Sequence, residues 1–465
     1  MNIIRKLTLA NLKKNRNRTI VTILGILLST ALILAVIGMA QSGQASLAAW
    51  QKQYSGDFHA IYTEVPTDAV PYITENAHVK SSSVLYSYGY AVLEGSLNEY
   101  MPYVFVMGGD DAAFRKLSLH LNEGRFPENE NEIVVPETIH ANAGMDLKLG
   151  DTLTLAIGRR VDSENNELFQ HHYYDLDHPD TIVDTTTRTF TIVGITQRCS
   201  SLVEPYEAPG YTVFTYADSA AGAQYANVAA TYTKASSHGA YTLGIMQNIN
   251  EAFPENRINC SSNRDVLEYE GALSSRTLQA LYTVAAIILT IIVLTSVFVI
   301  RNSFAISVSE KTRQYGMLAS VGATARQIRS SVLFEGLIIG LIGIPLGVAL
   351  GYGAIAVLIR ILNLLLGDML DGMRFHGVFS LPVLGLTVAL GALTIYLSCL
   401  IPAIRAGRIA PIEAIRSNQD VRIRAGRLRV SGLVRKVFGI GGVIAAKNLK
   451  RSRRKYRTTV ISLVV

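Results

Sequence analysis

Residues 170–180, QHHYYDLDHPD, gather three imidazoles and three carboxylates within eleven positions. Imidazole nitrogen and carboxylate oxygen are the donors that borderline divalent ions take, so His171, His172, Asp175, Asp177 and His178, with Asp180 beside them, are the residues from which a metal site could be assembled. Against that stand Pro179 and the surrounding turn formers, which make the stretch loop-like, and the lack of a second ligand cluster. The preferred reading is a solvated acidic hairpin tip or insertion that binds no metal. Other chemistries leave no trace. The chain has no G-x-x-x-x-G-K-[ST], and so does not bind ATP through a P-loop; it also lacks H-E-x-x-H, G-x-S-x-G and any cysteine pair at zinc spacing. No cofactor is expected in this chain.

The elements around that stretch are mostly not those of a soluble protein. Of 465 residues 49% are apolar, and the excess is concentrated in uncharged runs at 20–40, 278–300, 336–359 and 381–404. Each has about the 20 residues a helix needs to cross a bilayer. The first run could also be read as a cleaved signal peptide, since it follows a basic stretch and ends in small residues. A signal core of roughly 7 to 15 residues is shorter than this run, which favours an uncleaved first helix. Charge orients the chain. Residues 1–19 hold six Lys/Arg and no acid, 301–331 five against one, and 405–457 sixteen against two, whereas 41–277 hold 14 against 30 acids. The positive-inside rule places the basic segments in the cytoplasm and the acidic one outside. The net +7 is a difference between opposed faces and gives no reason to expect a nucleic-acid partner.

The fold class expected is therefore an α-helical membrane protein with four complete transmembrane helices and a large mixed α/β extracytoplasmic domain between the first and second. Residues 1–19, with Ile3, Ile4, Leu7 and Ala10 on one stripe, read as an interfacial helix touching membrane lipid. Spans at 20–40, 278–300, 336–359 and 381–404 enclose the outer domain at 41–277, a cytoplasmic segment at 301–335, an outer loop at 360–380 and a basic linker at 405–457. Residues 458–465 open a fifth apolar run. The basic stretch 448–462 echoes 11–23, either as the opening of a second, truncated copy of the unit or as two juxtamembrane segments made alike by the orientation rule. In the outer domain YVFVMG (103–108), NEIVVPE (131–137), DTLTLAI (151–157) and RTFTIVGIT (188–196) predict strands, while EGRFPENENE (123–132) reads as a loop. Cys199 and Cys260 both lie there and leave open whether they pair, and Cys399 reads as a small packing residue in the fourth span.

In the third span Gly336, Gly340, Gly343, Gly347 and Gly351 recur at helical spacing, so one face admits a close neighbour, and Pro345 invites a kink. Glu335 at its edge reads as an anchor or a partner for a basic neighbour. Before it comes SEKTRQYGMLASVGATARQ (309–327), with Ser309 and Glu310 as the expected helix start, Tyr315, Leu318 and Val321 or Gly322 on one face, and Gly322 as a break. A short helix, a turn and a helix that becomes a span would be mechanically joined to the spans on both sides.

This segment resembles the FtsX/MacB-like family of ABC transporter permeases through Glu310, Lys311, Gly316, Leu318, Gly322, Ala323, Gln327, Ile328, Glu335 and Gly336. It departs from the pattern at Arg313, Gln314, Tyr315 and Ser320. IPAIRAGRIAPIEAIR (401–416), through Pro402, Ala403, Ala406, Pro411, Glu413, Ala414 and Arg416, is similar to the family's stretch after the fourth span. Residues 123–155 with FTIVGI (190–195) are similar to the outer core domain of its MacB-like members. The resemblance implies a multi-pass protein of the bacterial cell membrane with a cytoplasmic N-terminus. It further implies a non-catalytic permease subunit whose partners are a cytoplasmic ABC ATPase, carrying the ATP and magnesium, and a second permease unit, either fused or as a homodimer. Glu310, Arg313, Tyr315, Gly316, Leu318, Val321 and Gly322 would form the contact that couples hydrolysis to movement of the outer domain. The movement would serve export or extraction of peptides, lipids or lipoproteins. Two alternatives are a regulator of cell-wall hydrolases, as some FtsX-like proteins are, and a metal-dependent outer enzyme or sensor built on the histidine loop.

Overall fold

The structure, a computed structural model, describes residues 3–220, 222–256, 258–367, 373–409, 439–441, 443–444 and 446–447. Along the chain come α1 (Ile3–Lys14), α2 (Arg16–Ser55), β1 (Ala60–Pro66), α3 (Val70–Thr74), β2 (Val79–Val92), β3 (Tyr103–Gly109), α4 (Asp111–Lys116), β4 (Leu121–Gly124) and β5 (Glu132–Pro136). Next are α5 (Thr138–Ala143), β6 (Thr152–Val161), β7 (Thr181–Thr196), β8 (Gly210–Tyr216), β9 (Tyr225–Tyr232), α6 (His238–Ala252), β10 (Asn259–Ser262) and α7 (Arg264–Tyr269). The helices α8 (Arg276–Glu310), α9 (Thr312–Ser320), α10 (Ala325–Leu366) and α11 (Leu381–Ala406) follow. The chain divides into a helical unit of 1–43, 280–370 and 375–465 and a mixed unit of 44–279 with 371–374.

Among the described residues α2, α8, α10 and α11 are long and apolar enough to cross a membrane. They outrun the apolar runs because good helix formers continue them. After the run at 20–40, for example, AQSGQASLAAWQKQYS carries α2 to Ser55 without a proline. Apolar side chains such as Leu24 and Leu28 of α2, Ile287 and Ile291 of α8, and Leu337 and Leu341 of α10 stand outward, as a lipid-facing surface requires. Gly336, Gly340, Gly343, Gly347 and Gly351 are buried along α10. A Cβ at Gly336 or Gly340 would meet Cys399 or Ile395 of α11, and one at Gly347 would lie 2.6 Å from Leu27 O of α2. The stripe therefore receives two neighbours, α11 toward one end and α2 toward the other. The helix runs on through Pro345.

In the mixed unit the described strands form one sheet in the order β10-β1-β9-β2-β3-β8-β5-β7-β4, with β6 pairing β2 and β7 off that path. Pairing is parallel for β3 with β8 and β5 with β7, and antiparallel for the other pairs. The period of two decides which side chains meet. Val104 and Val106 of β3 join a core with Val135, Phe190 and Val213 on one face, while Phe105 and Met107 join Phe114, Val134 and Phe214 on the other. A strand covered on both faces reads as an unbroken apolar run, which is why YVFVMG announces itself in the sequence. Cys199 and Cys260 are both free thiols, Cys199 inside one core cluster and Cys260 at the margin of another, so the open question of their pairing resolves to no bond. Burial pushes the Cys260 thiol up to about 12.

Candidate functional site

The turn between α9 and α10 is built locally. Gly322 has φ +99°, a region that costs other residues energy, and this ends α9. Two residues on, Thr324 caps α10: its Oγ1 accepts from Gln327 N–H at 3.3 Å, while Gln327 Oε1 accepts from Thr324 N–H at 2.9 Å. This reciprocal capping box satisfies two backbone donors at the start of a 42-residue helix.

The other end of α9 corrects the expected start. Ser309 and Glu310 do not open the short helix; they close α8, and α9 begins at Thr312. No breaker lies between Ile300 and Glu310, so the backbone ladder of α8 simply continues until Lys311 turns away. The turn is held by charge. Lys311 Nζ donates to Glu335 Oε1 and Oε2 at 2.9 and 2.8 Å, and both residues are only 4% exposed. Ser307 Oγ donates a third bond to Glu335 at 3.2 Å. A buried charge is tolerated only with such partners, and removing one side of a pair of this kind typically costs about 3–5 kcal/mol. Glu335 is thus the partner of a basic neighbour across the turn. Arg18 of α2 pairs with Glu310 and also donates to Ser307 Oγ at 3.1 Å, while Asn11 of α1 donates to Gln314 at 3.2 Å. Within the helical unit, polar side chains therefore join α1 to α9, α2 to α8, and α8 and the turn after it to α10.

The expected coupling residues fall into two sets. Tyr315 and Gly316 are buried and Leu318 half-buried, with Tyr315 packed among Val308, Ile328, Val332, Ala403 and Ala406. Burial pushes the Tyr315 hydroxyl above its ordinary value. On the opposite side Arg313 and Gly322 are exposed, and Val321 is 89% exposed. Tyr315 and Val321 do not share a face, since six residues turn a helix by roughly 600° and set them about 120° apart, and α9 has moreover ended at Ser320. The sequence reading missed Met317, which is 48% exposed and belongs with Val321 on the outward set. Met317 and Val321, four residues apart, fall on one side of a helical wheel, away from Tyr315, and that spacing is the signal that could have found them.

The histidine loop lies between β6 and β7 in the mixed unit. His171 Nδ1 lies 2.7 Å from Glu64 Oε1, His178 Nδ1 lies 3.1 Å from Asp175 Oδ2, and His172 Nδ1 accepts from Phe169 N–H at 2.9 Å. Among the described residues no three His, Cys, Asp or Glu side chains converge as a metal-binding group; Asp177 bonds through its backbone N–H to Asp175 at 2.9 Å. The stretch belongs to the loop of the antiparallel β6–β7 hairpin, whose pairing reaches Val161 and Thr181, but it is not uniformly solvated. Asp180 is buried against Arg160, which has no exposed surface and also donates to the carbonyls of Phe169, His172 and Tyr173 at 3.3, 2.7 and 3.0 Å. One buried guanidinium thus gathers three loop carbonyls onto the sheet.

Four bilayer-length helices and a mixed α/β unit between the first and second define a multi-pass membrane protein with a large extracellular-type domain. Family models match residues 19–240, as a MacB-like periplasmic core domain, and 286–411, as an FtsX-like permease C-terminal region. The chain belongs to the FtsX/MacB-like ABC transporter permease family. It is 31% identical over 117 residues to the uncharacterized ABC transporter permease YknZ of Bacillus subtilis, 25% of this chain and 27% of that one. It is 30% identical over 157 residues to the macrolide export ATP-binding/permease protein MacB of Photorhabdus laumondii, 33% of this chain and 22% of that one. To the lipoprotein-releasing system transmembrane protein LolC of Haemophilus influenzae it is 28% identical over 135 residues, 28% of this chain and 32% of that one. The chain thus matches about a third or less of the length of these relatives. The periplasmic region of MacB from Actinobacillus actinomycetemcomitans aligns with 47% of the chain and 96% of its own length, at 8% identity and a TM-score of 0.28. The expected basic linker at 405–457 and fifth helix at 458–465 fall almost wholly on 410–438 and 448–465, outside the described residues.

Proposed function

We propose that the chain is the non-catalytic permease subunit of an ABC transporter and converts ATP hydrolysis by a separate cytoplasmic ATPase into movement of its outer domain. The ATP and magnesium reside in that partner. The movement serves export or extraction of peptides, lipids or lipoproteins. The N-terminus and the α9 turn face the cytoplasm in this reading, as the basic flanks at 1–19 and 301–331 require. A second permease unit, fused or as a homodimer, and membrane lipid cover the apolar faces of the spans.

The observation that carries the reading is the α9 turn. It presents Arg313, Met317 and Val321 outward while its inner face and its buried Lys311–Glu335 pair bind it to the long helices. An exposed apolar pair on a short element so anchored is a surface on which a partner can press and be felt.

The test is copurification of the full chain from its own host with Met317→Glu and Val321→Asp. The expected result is a P-loop ATPase bound to the natural chain and retained at least tenfold less by the double variant, whose thermal unfolding is unchanged. A chain that brings down no such ATPase, or a double variant that keeps it in full, overturns the reading.

A further inference from the structure

The mixed unit contains a cavity of about 890 Å³ that the coupling mechanism does not use. Three strand pairs slip register where its wall passes: β1 against β9 between Tyr62 and Val65, β2 against β3 between Ser87 and Gly89, and β6 against β7 between Ile157 and Arg159. A bulge bends a strand and re-aims a side chain, so three of them around one space hold the sheet open. Glu64 stands in the first slip with φ +61°, an unusual conformation for glutamate, and its side chain lines the cavity. The fourth wall is the histidine loop, through Glu167, Phe169, Gln170 and His171.

Arg159, Arg160 and Arg188 face the cavity with Glu64, Glu167 and Asp184, equal in number, but the arginines are engaged in ion pairs of which two reach carboxylates outside the lining. Arg159 pairs with Asp184, Arg160 with Asp180 and Arg188 with Glu130, so each arginine in the wall has its own carboxylate. Glu64 and Glu167 remain. Among the described residues the Glu64 carboxylate meets His171 Nδ1 at 2.7 Å and Asn259 Nδ2 at 3.3 Å, and Glu167 accepts from Tyr225 Oη at 3.3 Å. Burial pushes both carboxyls above the usual carboxylate range, in Glu167 despite the attraction of Arg159. Gln170, 7% exposed, donates through Nε2 to Gly210 O and Thr212 Oγ1 at 3.0 and 3.1 Å, but its Oε1 has no partner among the described residues. Among the described residues, two carboxylates without an arginine or lysine ion pair, beside an amide oxygen without a partner, suit a donor-bearing cation. Phe169 and Tyr225, edge to face at 5.2 Å, supply the apolar and π surface beside them.

We propose that this cavity binds an amphipathic organic cation of drug size, its ammonium held by Glu64 and Glu167 and its apolar body against Phe169 and Tyr225. The volume lies within the roughly 300–1,000 Å³ usual for such ligands. The site is independent of the ATPase reading, since it forms within the mixed unit and is assayed without a partner.

The test uses the full chain in nanodiscs of zwitterionic lipid, titrated calorimetrically with propranolol, a naphthyl ammonium, and naproxen, a naphthyl carboxylate, with empty discs subtracted. Saturable one-site binding of propranolol and none of naproxen is expected. Glu64→Gln, Glu167→Gln and Phe169→Ala should each weaken propranolol at least tenfold, with unfolding midpoints checked in parallel. Should one carboxylate variant not fold, the other two decide. Absence of saturable binding above empty discs, equal binding of naproxen, or unchanged affinity in the folded variants overturns the site.

Discussion

At the scale of single residues, the mixed unit hides a tautomer that sets an acid response. His59 Nδ1 accepts the Tyr232 N–H at 3.0 Å, so the ring proton of the neutral imidazole sits on Nε2, which donates to Glu270 Oε2 at 2.9 Å. Lys52 Nζ lies 2.7 Å from the other carboxylate oxygen. The hydrogen bond from His59, reinforced by Lys52, holds the Glu270 carboxyl down at about 2. A carboxyl depressed in the folded state stabilises above its unfolded value of roughly 4.3 and loses that contribution as pH falls toward the folded one. Glu270→Gln should therefore lower the unfolding midpoint at neutral pH. The gap to the natural chain should close between about pH 4 and pH 2, read by thermal unfolding at a series of pH values. A gap that stays constant across that window would remove the linkage. Nothing in the sequence announces this contact, because its partners are 211 residues apart. Arg160 was hidden for a different reason, since its partners are near in sequence: an arginine in a strand reads as solvent-facing until the fold turns the loop back and supplies Asp180 and three carbonyls.

At the scale of elements, legibility followed the strength of the pattern. The four spans and the glycine stripe were plain because about 20 apolar residues in a row admit few structures. Strands β3 and β5, buried on both faces, were plain for a similar reason. Strands β2 and β9, VKSSSVLYSYGYAV and YANVAATY, were not, since serine, alanine and asparagine blur the alternation and the bulge at Gly89 shifts it. In the glycine stripe, Gly347 makes the sharpest prediction. A Cβ there would meet Leu27 O at 2.6 Å and Thr30 Cβ at 2.7 Å, and the backbone oxygen cannot rotate aside. Gly347→Leu should destabilise by about 1–3 kcal/mol through overpacking. A Cβ on Gly353 meets nothing within 4 Å, so Gly353→Ala should be neutral or better by up to about 1 kcal/mol. Thermal unfolding of the detergent-solubilised chain decides. Equal midpoints for Gly347→Leu and the natural chain would mean that α2 and α10 can separate without cost.

At the scale of the whole molecule, the question is how a push on a short turn could reach a large domain. Besides the crossings at either end of 371–374, between α10 and α11, the chain passes between the two units inside two helices: the division at 43/44 falls within α2, and that at 279/280 within α8. A continuous helix carries displacement along its axis because each turn is bonded to the next, and a flexible linker does not. The same two helices are bonded at their other ends to the turn region, α2 through Arg18 to Glu310 and α8 directly into Lys311. Transmission in the proposed mechanism therefore depends on helical continuity at those two points and not on any particular side chain there. Inserting Gly-Pro-Gly between Gly43 and Gln44 and between Gln279 and Ala280 breaks both ladders while leaving the turn intact. The expected outcome is an ATPase that still copurifies with the doubly interrupted chain. In the uninterrupted complex, hydrogen exchange in β2 should differ between the ATP-bound and nucleotide-free states, and in the interrupted one that difference should vanish. If the difference survives both insertions, the outer domain is moved by a route other than these two helices.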